Sequence, residues 1–306
     1  MARNKEWQGK TDGGNFGQKC LFLYFKYGSI RLSYAIVSVV ILFYLAINYK
    51  ATNTIYQYFR KRQQYSKSKA IISTYKNHFL FGKTLIDKFA LFAGRKNEYT
   101  VEVDGQEYYD KIVANAEKGA IILNSHIGSA EIVGYFLTQK IKQLYVIVFG
   151  GESAEMQKQR ARILAKNNVC MIPVIDSFSH IFAINNALKN ADLVSMAGDR
   201  VYEGSKNLSM TFFGAPANFP TSAFQLAVKL QVPMISMFVM QNGFKKYKCY
   251  VRPLEVENLE THFKQQQVEL LMREYTSKLE GILQLYPLQW YNFYDFWQTD
   301  TPKTTI

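Results

Sequence analysis

The chain is poor in the residues that build metal centres and covalent frameworks. Its three cysteines, Cys20, Cys170 and Cys249, lie far apart, with no CxxC pair and no His/Cys cluster at metal-ligand spacing. That argues against a disulfide scaffold and against structural zinc, so no metal is expected, and it fits a reducing compartment. A Walker loop, a GxGxxG turn after a strand, a GxSxG elbow and an internal repeat are all missing. Histidines number four in 306 residues, and acids are scarce, 24 against 37 Lys and Arg, for a net charge of +13. The length suffices for one large core or two small ones.

Charge is also missing locally. Leu32 to Tyr49 (LSYAIVSVVILFYLAINY) has no charged residue and is flanked by Arg31 and Lys50. As a helix these eighteen residues span about 27 Å, close to the hydrocarbon thickness of a bilayer. Tyr34, Tyr44 and Tyr49 lie near its ends, as interfacial aromatics do. The run begins too late for a typical signal peptide and no small-residue cleavage site follows it. Two readings stand, a membrane helix and a buried or interfacial helix. Directly after it, Lys50 to Lys96 holds eleven Lys or Arg and one acid, Asp87, which is +10 of the net charge. Lys50, Arg60, Lys61, Arg62, Lys67 and Lys69 follow the run closely, against Lys19, Lys26 and Arg31 before it. The positive-inside bias then places the C-terminal part in the cytoplasm. No nucleic-acid-binding module accompanies the basic window, and attraction to an anionic membrane surface accounts for it more economically. Within it, His78 to Gly94 reads either as a helix lying on that surface or as an amphipathic core helix.

Beyond Gly119 strands and helices alternate. Strands are expected at Ala120–Ser125, Leu144–Phe149, Val169–Ile175, Leu193–Ala197, Met234–Met240 and Tyr247–Arg252. Helices are expected at Ser129–Gln139, Ser153–Lys166, Phe178–Lys189, Thr221–Leu230 and Leu259–Leu285. The pattern gives an α/β fold, a largely parallel sheet flanked by helices on both faces, preceded by the membrane helix and the basic helical segment. The organisation is then an N-terminal segment 1–31, an anchor helix 32–49, a basic juxtamembrane region 50–96 and an α/β domain 97–306.

Sites in such sheets gather at the carboxyl ends of strands, which puts His126, Gly150-Gly151, Asp176 and Asp199-Arg200 on one rim. His126 follows the apolar run Ala120-Ile121-Ile122-Leu123, and Glu131 lies five residues on in the next helix. No other histidine has an acid at that spacing, since His78, His180 and His262 are followed by Lys83, Asn185 and Gln267. A strand-end imidazole with a carboxylate to orient it can serve as a general base; a histidine that merely caps its strand is the plainer reading. At Asp199-Arg200 a guanidinium can clamp phosphate or carboxylate with the acid orienting it, or the two can form a structural ion pair. The turn Phe213-Gly214-Ala215-Pro216 leads towards a helix near Thr221 whose amino end can cap an anion; a plain loop with Thr221 as N-cap explains it equally.

HxxxxE after a strand, then Gly198-Asp199-Arg200, then Phe212-Phe213-Gly214-Ala215-Pro216-Ala217-Asn218-Phe219-Pro220, Val232-Pro233, and a tail Tyr286-Pro287-Leu288-Gln289-Trp290-Tyr291-Asn292-Phe293-Tyr294-Asp295-Phe296-Trp297 follow in order. Together they resemble the lysophospholipid acyltransferase superfamily, and more narrowly the bacterial late acyltransferases of lipid A synthesis. The resemblance implies an inner-membrane enzyme with its catalytic domain in the cytoplasm. It would move an acyl chain from acyl carrier protein or coenzyme A to a hydroxyl or amine of a lipid or glycolipid acceptor. No covalent acyl-enzyme and no cofactor beyond the thioester cosubstrate are implied. His126 becomes the general base and Glu131 its orienting partner. Arg200, supported by Asp199, becomes a substrate anchor; Arg160 and Arg162 are similar to a basic substrate-binding position, and Gly128, Phe213, Gly214 and Thr221 fall in substrate-binding motifs. The Asn124-Ser125-His126 opening departs from the family's usual threonine-histidine. A non-catalytic, membrane-anchored lipid-binding protein on the same fold is the alternative.

Overall fold

Residues 30–92 are largely helical because their apolar residues repeat with helical spacing and no proline interrupts them. In the computed structural model, residues 23–297 are described apart from 116, 137–141, 150–160, 162–163, 167, 175–178 and 202–204. Helix α1 (Ile30–Ile47) is capped by Ser29, whose hydroxyl accepts from the Leu32 amide at 3.3 Å. It begins two residues earlier than the charge pattern suggested, and Tyr49 opens the next helix, α2 (Tyr49–Gln57). After a π-helical turn at Tyr58–Arg62 comes α3 (Lys67–Phe92), which runs well before His78, where the sequence had placed its start.

By length and composition α1 is apolar enough to cross a membrane. One side of it lies on α3. Val37 meets Gly82, where an added Cβ would sit 3.1 Å from a valine methyl, and the Tyr75 hydroxyl donates to the Ser38 carbonyl at 3.0 Å. Its other side leaves Leu32, Ile36, Val39, Val40, Phe43 and Ile47 exposed.

The sheet starts with β1 (Thr100–Asp104), followed by α4 (Gln106–Ala114). Next come β2 (Ala120–Asn124), α5 (Ala130–Phe136), β3 (Leu144–Phe149), β4 (Val169–Val174), α6 (Ser179–Lys189) and β5 (Leu193–Ala197). A separate hairpin, β6 (Asn207–Phe212) and β7 (Ala215–Pro220), precedes α7 (Ser222–Leu230). The chain continues through β8 (Met234–Gln241), β9 (Lys246–Pro253), α8 (Lys264–Leu285) and the tail. Strand order is β1-β9-β8-β2-β5-β3-β4, parallel throughout except between β8 and β9. The largely parallel α/β sheet is as the alternation predicts; β1, α4 and the hairpin are additions to it.

Burial explains the order. Residues of β8 are buried along its whole length and β2 is buried at four of five positions, as parallel strands covered on both faces must be. Alternation sends Ile121, Leu123, Phe238 and Met240 into a core with α7, α8 and the tail. It sends Ala120, Ile122, Met237 and Val239 into a second core on the other face, together with Ile30 and Tyr34 of α1 and Leu91 of α3. The start of α1 is therefore part of the domain's own core.

That junction is fastened by a buried carboxylate. Asp87 of α3 is fully buried and accepts from Tyr34 at 2.5 Å, from Tyr99 at 2.8 Å, from Tyr247 and from the Gln241 amide at 3.3 Å. Burial, then the neighbouring Asp87, pushes the Tyr99 and Tyr247 phenols far above their ordinary range, so they stay donors.

Candidate active site

Register builds the site. β2 and β5 are neighbours with Asn124 opposite Ala197, so residues two beyond each strand end, His126 and Asp199, leave the sheet side by side. The Gly198 amide donates to the Asn124 carbonyl at 2.9 Å and extends the contact past the sheet. Asp199 is fully buried and accepts twice from one residue. The His126 backbone amide reaches Oδ2 at 2.7 Å, and the His126 ring Nδ1 reaches Oδ1 at 2.8 Å. Oδ2 also accepts from the Asn292 side chain at 3.1 Å. Burial by itself would raise the Asp199 carboxyl, but the charge and hydrogen bonds of His126, with Asn292, hold it below the usual carboxylate range. An ionised Asp199 fixes the imidazole with its proton on Nδ1 and leaves Nε2 for chemistry; the His126 side chain is 31% exposed.

The strand ends are clamped from below. Tyr275 of α8 lies against Gly198, whose added Cβ would come within 2.6 Å of the ring. Its hydroxyl shares a 2.5 Å hydrogen bond with Ser125 and donates to the Asn124 carbonyl at 3.1 Å. Gly128 has a φ of +53°, and an added Cβ would sit 2.0 Å from the Val239 carbonyl oxygen, so the loop after His126 can turn there only with glycine. The tail closes the other side. The Tyr291 amide donates to the His126 carbonyl at 2.9 Å, the Gly128 amide to the Gln289 carbonyl at 3.0 Å, and Ile127 bridges Trp290.

Several expected roles fall differently. His126 hydrogen-bonds Asp199 through its ring, whereas Glu131, in the first turn of α5, pairs with Lys88 at 2.9 Å and is 48% exposed. Chain order hid this, because β5 inserts between β2 and β3. Asp199 also does not support Arg200: its oxygens serve His126 and Asn292. Arg200 is half-buried, approaches the Asn292 side-chain oxygen at 3.4 Å and lies over the Tyr294 ring at 5.9 Å, with no ion pair among the described residues. A guanidinium that no acid pairs with among the described residues, beside a strand-end histidine, is suited to an anionic ligand.

Phe213 and Gly214 form the tip of the β6–β7 hairpin, both with positive φ, where the sequence suggested a turn leading towards an anion-capping helix end. The Phe213 amide is taken by the Glu280 carboxylate at 2.8 Å, and the Thr221 hydroxyl by the Lys206 carbonyl at 3.2 Å. The Phe213 amide and the Thr221 hydroxyl are thus already engaged within the protein, as is the Gly128 amide. Arg160, Arg162, Gly150-Gly151 and Asp176 lie outside the described residues. Asn292 was not foreseen as a site residue; its signal was its place in the aromatic tail.

The sequence matches the family of bacterial lipid A biosynthesis acyltransferases over residues 30–299. The chain belongs to that family. No curated protein matches it. As a lipid A biosynthesis acyltransferase family member, it is a membrane-associated lipid acyltransferase, and the matched range takes in α1, both cores and the tail that holds Asp199.

Proposed function

We propose that this acyltransferase moves an acyl chain from a thioester to a hydroxyl or amine of an amphipathic lipid or glycolipid, with His126 as general base. The observation that carries the reading is the Nδ1–Asp199 hydrogen bond of 2.8 Å at the ends of two paired strands, which leaves Nε2 outside that contact on a side chain 31% exposed. Nε2 removes the acceptor proton as the acceptor atom bonds to the thioester carbonyl carbon. The tetrahedral centre then collapses, the C–S bond breaks, and the imidazolium returns its proton to the departing sulfur. Asp199 stabilises the imidazolium between these steps. Arg200 binds an anionic group of either substrate, such as the phosphate of a pantetheine arm, whether the donor is acyl carrier protein or coenzyme A. The excess of Lys and Arg after α1 favours a cytoplasmic active site, where such thioesters are made.

The test is acyl transfer by the purified full chain, with thiol release and acylated lipid measured together. Wild type should release thiol only when acceptor is present, and His126→Ala should lose about 10²–10⁴ in rate while keeping its fold. Activity within a few-fold of wild type in His126→Ala would remove the general base. Binding of thioester and lipid with no transfer in wild type would instead support a non-catalytic lipid-binding protein.

A further inference from the structure

On the face of α3 next to the one that α1 covers, Lys69, Ile72, Lys76 and Leu80 recur at helical spacing. They form one wall of a groove of about 600 Å³ whose other wall is the turn after α8, from Leu285 to Gln289. Its surface is mostly apolar and stays open: Ile72 is 54% and Leu285 68% exposed. Two cations stand on its rim. Lys69 lies 3.6 Å over the Tyr65 ring, neither Lys69 nor Lys76 has an ion pair among the described residues, and no acid lines the groove. An apolar trough with paired, unneutralised ammonium groups at its edge fits an amphiphile with a negative head, and it borders the helix that carries the exposed apolar side.

We infer that this groove binds an anionic glycerophospholipid of the surrounding bilayer, its phosphate on Lys69 and Lys76 and its acyl chains along Ile72, Leu80 and Leu285. The inference rests on the family's membrane association and is independent of the transfer chemistry. The site is separate from His126 but touches its support. Gln289, at the groove floor, accepts from the Gly128 amide through its carbonyl and exchanges two 2.9 Å hydrogen bonds with the Gln241 backbone.

The experiment is native mass spectrometry of the full chain in neutral detergent, titrated with phosphatidylglycerol or phosphatidylcholine. Variants are Lys69→Gln/Lys76→Gln, the conservative Lys69→Arg/Lys76→Arg, and a control, Lys229→Gln/Lys264→Gln, that removes exposed charge elsewhere. Phosphatidylglycerol should bind wild type, the arginine pair and the control alike. It should bind Lys69→Gln/Lys76→Gln about ten- to thirty-fold more weakly, as loss of two surface-lipid attractions implies. Unchanged affinity in that variant, equal affinity for phosphatidylcholine in wild type, or an equal fall in the control would each overturn the site. Inorganic phosphate is the remaining arm: displacement of the lipid by phosphate at comparable concentration would make the ligand a free anion and also overturn the lipid assignment. The three variants carry substitutions only at exposed side chains, and a melting curve of each beside wild type shows that the comparison is between folded chains.

Discussion

Among the described residues two carboxylates are wholly buried, Asp87 and Asp199, and they differ in what donates to them. Asp87 is ringed by three phenols and an amide, groups that keep their protons across the working pH range. Such a centre can hold elements together, here α1, α3 and β9, but it has nothing to pass on. Asp199 is held by a backbone amide, a side-chain amide and one imidazole, on a side chain that is 31% exposed and uses only Nδ1 in this contact. Burial supplies the same low-polarity setting to both. Only the second is connected to a partly exposed imidazole, and in the proposed mechanism that is what separates a fastening from a catalytic support.

The sharpest way to break the contrast is Asp199→Asn. An amide in place of the carboxylate favours the wrong tautomer and leaves the imidazolium without its counter-charge, a change that costs about 10⁴ in a comparable triad. Turnover should fall by about 10²–10⁴, with KM for the thioester little changed. The stability readout has a definite sign. The folded carboxyl titrates below its unfolded value of about 3.9, so ionised Asp199 stabilises the fold above that pH and the contribution fades as pH falls through the folded value. Urea midpoints measured from neutral pH down into that window should therefore drop less steeply in Asp199→Asn than in wild type. An unchanged slope together with unchanged turnover would make Asp199 another Asp87.

The converse substitution is Asp87→Asn. The three phenols compete for one remaining acceptor oxygen, and an unpaired buried donor costs about 1–3 kcal/mol. The melting temperature should fall by the equivalent of about 2–4 kcal/mol, while kinetic constants of the folded fraction stay near wild type. A large fall in turnover at unchanged stability would show that the fastening reaches into the chemistry.

How much of this was legible beforehand follows from the same geometry. The apolar runs of β2, β5 and β8 were readable because strands buried on both faces are continuous in sequence. Strand β1, Thr-Val-Glu-Val-Asp, was not, since an edge strand carrying charge on alternate positions looks like loop. The hairpin was missed because Pro216 and Pro220 argue against a strand; in a two-stranded ribbon each has an edge without a partner, where a missing N–H is tolerated. His126 was singled out from local spacing. Its true hydrogen-bonding partner was not, because the Asp199 contact depends on β5 lying between β2 and β3, an order that no short motif encodes. Asn292 is farther still, 93 residues from the carboxylate it holds.

Arg200→Lys addresses the open half of the site. Its guanidinium is the cation beside Asp199 that no acid neutralises among the described residues, and a lysine replaces a planar fork of donors by a point charge. The expected result is a rise in KM for the substrate bearing the anion by about ten-fold, one lost bidentate contact, with stability within about 1 kcal/mol of wild type. The opposite pattern, lower stability with normal KM, would return Arg200 to a structural part through Asn292 and Tyr294.

Glu131→Gln should have the smallest effect, and it tests which carboxylate serves the ring. The Glu131–Lys88 pair is partly exposed, with side chains 48% and 23% accessible, and such pairs contribute about 0.2–1 kcal/mol. Thermal stability should therefore barely move. Turnover should fall by less than in Asp199→Asn, because the Nδ1 hydrogen bond that orients the imidazole is untouched. Comparing the two variants on one preparation, with initial rates and melting curves taken together, makes the ranking independent of expression or fold. If Glu131→Gln proves as damaging as Asp199→Asn at full stability, the working state must bring Glu131 to His126, and the ring would exchange partners when substrate enters. A double variant then separates the cases. Two carboxylates acting through one imidazole lose no more together than singly, whereas independent roles multiply.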